Sequence, residues 1–530
     1  MSASPRRWSL LALALVLILV TVIRLRLAPC PLERDEGEYA FIGQLMLQGI
    51  PPYTEAANLK FPGTYASYAI IEAVFGQTAK GIHHGLLIVN LATILLVYHL
   101  GNRFFGSRHT AVMAAAVYAV SSLSFSFLGP MAHATHFVVF FGLAGIALLL
   151  SALRRNSLFG FALAGAVTGF AYMAKQSGFY FVPFGCLLIL SENVWRLFAP
   201  PALRASSYFL AGAFAPFALA VFAFQQLGCL DDFIFWTFRY ASTYHASISR
   251  LPALLFQQGV FLSHPGVAWI FLVPCLSFFL PPLWSRSSLP RRTSVILALF
   301  LVLSLIGVSL GLVFRQHYFI QALPAVALLS ASSFATLSTI ICRRIGARRS
   351  IAVASMLCLL FCGTVVVGEA PYFFRTSPAE VIWELYPGCP FVESITIADY
   401  IQQHSQPQDR VFVFGSEPQI YFYSKRHAAT NDIYLYNLLE EQPYALQMQR
   451  KVVADVSICR PRFFVESHQP LFEHTDSEKD IPLFQWKTSF LAAYYRPVLV
   501  LDRDLSNDRL TLNRRTSASG CFIMIWERNP

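Results

Sequence analysis

Charge is what the chain has least of. Only 13% of its 530 residues are Asp, Glu, Lys or Arg, about half the roughly 25% of an ordinary soluble domain. With 55% hydrophobic residues and a mean hydropathy of +0.52, it cannot cover a water-facing surface of this length. A soluble enzyme, a disordered chain and a disulfide scaffold are excluded. The ten cysteines are scattered without a CxxC pair. No Walker-type Gly-rich loop, internal repeat or low-complexity run is present. Acid is scarcest of all in residues 1–369, which hold 10 Asp+Glu against 24 Lys+Arg; residues 370–530 hold 19 against 16. The basic excess sits wholly in the apolar part, where it reports membrane orientation and not a nucleic-acid partner.

The apolar part divides into runs of the length a membrane helix needs, about 17–25 residues. Eleven are expected: Trp8–Ala28, Ile82–Leu100, Thr110–Leu128, Ala134–Leu153, Leu158–Ala174, Ser177–Leu190, Ser207–Leu227, Ser263–Leu283, Ser294–Val313, His317–Ile340 and Ser350–Gly368. The fifth and sixth share one apolar stretch, which Lys175-Gln176-Ser177 would break as a tight turn. Arginine sets the orientation. With Arg6 and Arg7 in the cytoplasm, the inner loops collect 15 arginines against one acid, Glu192, the positive-inside pattern. The first run reads as a retained anchor, and eleven crossings place the C-terminal part outside. The fold class is thus a polytopic α-helical membrane protein, residues 1–369, with a first outer loop at 29–81. An extracytoplasmic α/β domain follows at 370–530.

The polar chemistry concentrates on the outer side, and loops on a rigid scaffold carry function. In Arg34-Asp35-Glu36-Gly37-Glu38-Tyr39-Ala40, the run Glu36 to Gln48 reads as an amphipathic helix lying on the membrane surface, stopped by Gly49 and Pro51-Pro52. Asp35 would then be its N-cap and Glu38 its N3 partner in a capping box. The functional reading of Asp35 is a general base beside Arg34, at a helix end that also attracts phosphate. Lys60, in Lys-Phe-Pro-Gly, either snorkels to the interface or meets a lipid phosphate. Lys175 and Arg315 are cations at outer span ends, against the charge bias. They contact headgroups or a substrate. His133 and His136, spaced i, i+3, are structural or metal ligands; a divalent metal is allowed, not required.

These residues resemble the GT-C superfamily of membrane glycosyltransferases, and within it the protein O-mannosyltransferase and lipid A aminoarabinose transferase branch. The likeness rests on Asp35-Glu36-Gly37-Glu38-Tyr39-Ala40, Leu47-Gln48-Gly49, Lys60-Phe61-Pro62 and Asn102-Arg103-Phe104-Phe105-Gly106. More loosely it includes Ala174-Lys175-Gln176-Ser177-Gly178 and His317-Tyr318-Phe319 to Leu323-Pro324. It spans the membrane part only. The resemblance implies a sugar on a polyprenyl phosphate as donor and a lipid, glycan or protein hydroxyl as acceptor, joined at the outer face of the cell (inner) membrane. It implies Asp35, with Glu36 beside it, as the catalytic acids. Lys60, Glu38, Lys175, Arg315 and His317 would be substrate-binding. This chain reads Lys-Phe-Pro-Gly where the family has Lys before a Pro pair, and it has His133 and His136 where the family often has an acid. The alternative reading is a lipid or solute transporter, but transporters place ionisable groups near the bilayer midplane, and here the span interiors are nearly uncharged.

In the tail, Val392 to His404, Gln419 to Tyr423 and Tyr444 to Val456 read as helices. Val411 to Phe414, Arg462 to Val465, Val498 to Leu501 and Cys521 to Trp526 read as strands, together a parallel or mixed sheet. Its role is open between acceptor binding, a lid over the membrane site and plain packing. Cys389, Cys459 and Cys521 are placed where a disulfide is permitted.

Overall fold

The computed structural model describes residues 5–191, 200–243, 291–342, 347–467, 482–504, 509–513 and 522–530. Apolar composition over 20 or so residues gives long helices: α1 (Pro5–Leu27), α4 (Ala79–Phe105), α6 (Ala134–Arg155), α9 (Pro200–Gln226), α10 (Arg291–Ser309), α11 (Leu323–Ile341) and α12 (Ala347–Gly368). Between them lie the shorter α2 (Arg34–Leu47), α3 (Pro62–Phe75), α5 (Arg108–Ser121), α7 (Leu158–Ala174) and α8 (Phe181–Ser191). Hydroxyl side chains start three of these: Thr78, Ser107 and Ser157 each accept a backbone N–H of the first turn, groups the helix itself cannot satisfy.

Among the described residues, seven helices are long and apolar enough to cross a membrane, and the apolar α7 and α8 are shorter. The expected span Ser263–Leu283 lies outside the described residues, as do Arg196 and Arg286. The expected run Thr110–Leu128 is not one helix. α5 stops at Ser121, a short 3-10 turn follows at Phe125–Phe127, and Leu128 takes a left-handed backbone. The break is held by Arg24 of α1, whose guanidinium donates to the Ser122 and Gly129 carbonyls and to Asn90 Oδ1.

Residues after Gly368 form short helices around a six-stranded sheet. The strands are β1 (Arg410–Phe414), β2 (His427–Ala428), β3 (Phe463–Ser467), β4 (Tyr495–Asp504), β5 (Arg509–Asn513) and β6 (Phe522–Arg528), in spatial order β2-β1-β3-β6-β4-β5. β1 runs parallel to β2 and β3, and the remaining pairings are antiparallel, so the sheet is mixed. Cys389 and Cys459 are free thiols.

The loop at residues 29–81 is sandwiched between this sheet region and the long apolar helices. Ala57 makes a parallel bridge with Asp432, and Arg26 at the end of α1 donates to the Tyr372 and Thr376 carbonyls. α2 therefore departs from its expected place. Residues Glu36 to Leu45 are all buried, so it is an enclosed helix and not one lying on a lipid surface. An apolar stripe does not distinguish lipid from protein as its partner.

Candidate active site

α2 begins two residues earlier than its sequence implies. Glu33 has extended backbone and is the N-cap: its carboxylate accepts the Glu36 N–H at 2.9 Å, and the Glu36 carboxylate accepts the Glu33 N–H at 3.2 Å. The capping box is thus Glu33/Glu36, not Asp35/Glu38. This displacement releases Asp35 from a capping duty and puts it in the first turn.

The three acids that follow have different surroundings. Glu36 is fully buried and engaged, with Oε1 facing His83 Nε2 at 3.0 Å and accepting the Ala132 N–H at 2.5 Å. Glu38 is likewise filled: Tyr65 donates to one oxygen and both Asn58 and Tyr434 to the other, each at 2.7 Å. Burial first, and then the nearby Asp35 charge, push Glu38 above the usual carboxylate range. In these positions Glu36 anchors the helix to His83 and Ala132, and Glu38 braces the loop against Tyr434. Of the three, Asp35 keeps the open side chain, 23% exposed, with His317 Nε2 approaching it loosely at 3.9 Å.

Three other segments bring positive charge to Asp35. Burial would raise its pKa, but Lys60 first, with Arg315 and Lys175, outweighs that and holds it below the usual range, as opposite charges do. Local stitching explains the convergence. Pro62 starts α3 at the position where a missing N–H costs nothing. Gly63 packs on the Met173 backbone, and Thr64 donates to the Ala174 carbonyl. Gln176 donates to the Leu59 carbonyl. These contacts pin the Lys60 loop to the break after α7, where Lys175 has extended backbone. That turn is in turn tied to the segment carrying Arg315 and His317: Ser177 donates to Gln321 Oε1 and Tyr180 to the Gln321 carbonyl. Lys175 Nζ stands 3.3 Å from the Tyr318 ring centroid, and Lys60 Nζ 5.8 Å from that of Tyr39, favourable seats for ammonium groups.

His133 is the N-cap residue of α6 and stacks on His317, ring centroids 3.9 Å apart. Asp35, His133 and His317 each offer an atom within 4.8 Å of the others. Among the described residues neither His133 ring nitrogen has a hydrogen-bond partner, the Glu33 carboxylate standing 3.7 Å from Nδ1. Burial, outweighing the Asp35 and Glu36 charges, lowers its pKa to about 4, so the imidazole is neutral with a lone pair available. These residues fit a divalent cation of the kind that takes N and O ligands. His136, the expected partner of His133, lies outside this group, one helical turn into α6. Sequence reading assigned no role to Glu33, Tyr39 or Tyr318. Glu33 stands just before the acidic motif, and both tyrosines fall in stretches that carry the resemblance; what they contact shows only once the segments meet.

Comparison with known proteins bears on the family and the fold. Residues 61–220 match the family model described as dolichyl-phosphate-mannose-protein mannosyltransferase. The undecaprenyl phosphate-alpha-4-amino-4-deoxy-L-arabinose arabinosyl transferase of Pseudomonas aeruginosa is 28% identical over 314 residues, 56% of this chain and 54% of that protein. The matched region thus spans about half the length of these curated relatives. Among solved structures, ArnT from Cupriavidus metallidurans bound to undecaprenyl phosphate aligns with 99% of this chain and 98% of its own, at TM-score 0.59 and 16% identity. The chain has the GT-C fold. A second GT-C neighbour, the arabinofuranosyltransferase AftD from Mycobacteria, aligns with 99% of this chain and 40% of its own at TM-score 0.51 and 12% identity. The ArnT likeness reaches through residues 370–530, beyond the segments that the sequence motifs cover.

Proposed function

We propose that the protein is an integral membrane glycosyltransferase that moves a sugar from a polyprenyl-phosphate donor to an acceptor hydroxyl at the outer face of the membrane, with inversion. The observation that carries this reading is the meeting of one accessible, low-pKa carboxylate with Lys60, Lys175 and Arg315. Asp35 is ionised at neutral pH and takes the proton of the attacking hydroxyl. The hydroxyl oxygen bonds to the anomeric carbon as the carbon–oxygen bond to the lipid phosphate breaks. The departing phosphate dianion is neutralised by the three cations, fixed in place before the reaction. One base and no covalent nucleophile make this a single displacement. A divalent ion held by Asp35, His133 and His317 would add positive charge to the phosphate-facing cluster.

In this reading the N-terminus is cytoplasmic, the protein sits in the cell (inner) membrane, and residues 370–530 form an extracytoplasmic domain. The names of the relatives favour an aminoarabinose-type donor, and the acceptor is a lipid, glycan or protein hydroxyl. The transporter alternative draws no support from a site whose charges converge at the loop between membrane helices and outer domain. The test is incubation of purified full-length protein with a panel of polyprenyl-phosphate sugars, including undecaprenyl-phosphate aminoarabinose, and candidate acceptors. Release of free lipid phosphate with acceptor-dependent transfer is expected. Release from none of the donors would remove the reading.

A further inference from the structure

One face of α2 is not accounted for by the chemistry above. Arg34, Gly37, Glu38 and Phe41 recur at i, i+3, i+4 and i+7, one stripe of a helix, and all four touch the outer domain. Arg34 donates to the Ser416 carbonyl at 2.5 Å and pairs with the fully buried Glu417 at 3.0 Å. The other Glu417 oxygen accepts from Gln419 at 2.6 Å, and Gln419 also donates to Ser394. A Cβ on Gly37 would stand 2.6 Å from Gln419 Cβ and 2.7 Å from its backbone nitrogen, so the helix backbone itself rests on this loop. Glu38 accepts from Tyr434, and Phe41 stacks on Tyr421 at 5.1 Å. Glu417 and Tyr434 are coupled, because Ser416 Oγ accepts the Leu435 N–H.

On the opposite side of the helix, Glu36 is held by the membrane bundle through His83 and Ala132. Asp35 lies between these two holds. Rotation of α2 about its axis is what would carry the Asp35 carboxylate off the cation cluster, and a misplacement of about 1 Å in such a site costs on the order of 10²-fold in rate.

We infer that Glu417 and Tyr434 of the outer domain are positioning residues that fix the rotation of α2 and hence the placement of Asp35 against Lys60, Lys175 and His317. The inference rests on the glycosyl-transfer reading for its kinetic consequence but not for its structural one. The sheet region is then part of the catalytic apparatus, since the loop after β1 and Tyr434 decide where the base points.

The experiment uses Glu417→Gln and Tyr434→Phe in the full-length protein, each nearly isosteric, with two readouts. Kinetics are expected to show kcat per folded molecule down at least about tenfold, with donor KM within about twofold, because the cations sit on other segments. Amide hydrogen exchange is expected to quicken in peptides covering Arg34–Leu47 and to stay unchanged in those from α4. Unchanged exchange in α2, or faster exchange with unchanged kcat, overturns the inference. A lowered thermal midpoint with normal kcat per folded molecule assigns these residues to stability alone and also overturns it. If the wild type transfers no sugar, the functional reading fails by itself, and exchange in α2 still decides whether the outer domain holds the helix.

Discussion

Asp35 and Glu36 are neighbours in sequence with opposite fates, and the difference lies in their partners. Glu36 has no exposed surface and holds a histidine and a backbone N–H. Asp35 is partly open and loosely approached. Their amides should therefore fail in different ways. Asp35→Asn keeps shape and loses only a proton acceptor: transfer should fall by roughly 10²–10⁴-fold, the usual worth of a general base, with yield and thermal midpoint unchanged. Glu36→Gln breaks a buried charged pair, at a cost of about 3–5 kcal/mol, and should show first as a lowered midpoint and poor recovery. Full transfer by Asp35→Asn, or a stable and inactive Glu36→Gln, would reverse the two roles. The motif Asp-Glu-x-Glu-Tyr marked this stretch as chemical, but which acid does what was not legible. That depends on His83, Ala132, Asn58 and Tyr434, which come from 20 to about 400 residues away. Lys175 and Arg315 were legible because outer cations run against the charge bias, and Lys60 because of its place before Phe61-Pro62; their convergence was not.

At the scale of elements, the site depends on how closely α3 approaches the end of α7. A Cβ at Gly63 would stand 2.5 Å from the Met173 carbonyl oxygen and 2.6 Å from its carbon, and backbone cannot swing aside. Gly63→Ala should cost about 1–3 kcal/mol as overpacking and push the Lys60 loop off Lys175, read as a lower midpoint and a raised donor KM. Gly363 in α12 is the matched control, since a Cβ there meets nothing within 4 Å. Gly363→Ala should be neutral or stabilising by up to about 1 kcal/mol. Equal effects at the two glycines would remove the argument. The same contacts show why long spans were readable and short elements were not. α4 and α6 announce themselves by length and composition, whereas the break after α5 is set by Arg24 reaching across from α1 to take up two carbonyls. A strand such as Val411 to Phe414 is visible as an apolar run, but β2 is two residues long and exists only by pairing with β1.

The molecule as a whole is joined by the first outer loop, and one polar joint there should respond to pH. Glu55 accepts from both Arg410 and His427, and His427 Nε2 lies 3.0 Å from Gln48 Oε1 at the end of α2. Partial burial opposes ionisation of Glu55, but the His427 and Arg410 hydrogen bonds prevail and hold its pKa below the ordinary value. A carboxyl depressed in the folded state contributes stability that is complete above its unfolded pKa, about 4.3. The contribution disappears as pH falls through the folded value. Glu55→Gln removes the titrating group and keeps the shape, so its midpoint should lie below that of the wild type near neutral pH. The gap should close as pH falls below the usual carboxylate range. Exposure of 28% on Glu55 and 38% on Arg410 keeps the gap small, since water screens such pairs. A gap that stays constant from pH 3 to 7 would show that the joint is held by the Ala57–Asp432 bridge and apolar packing alone.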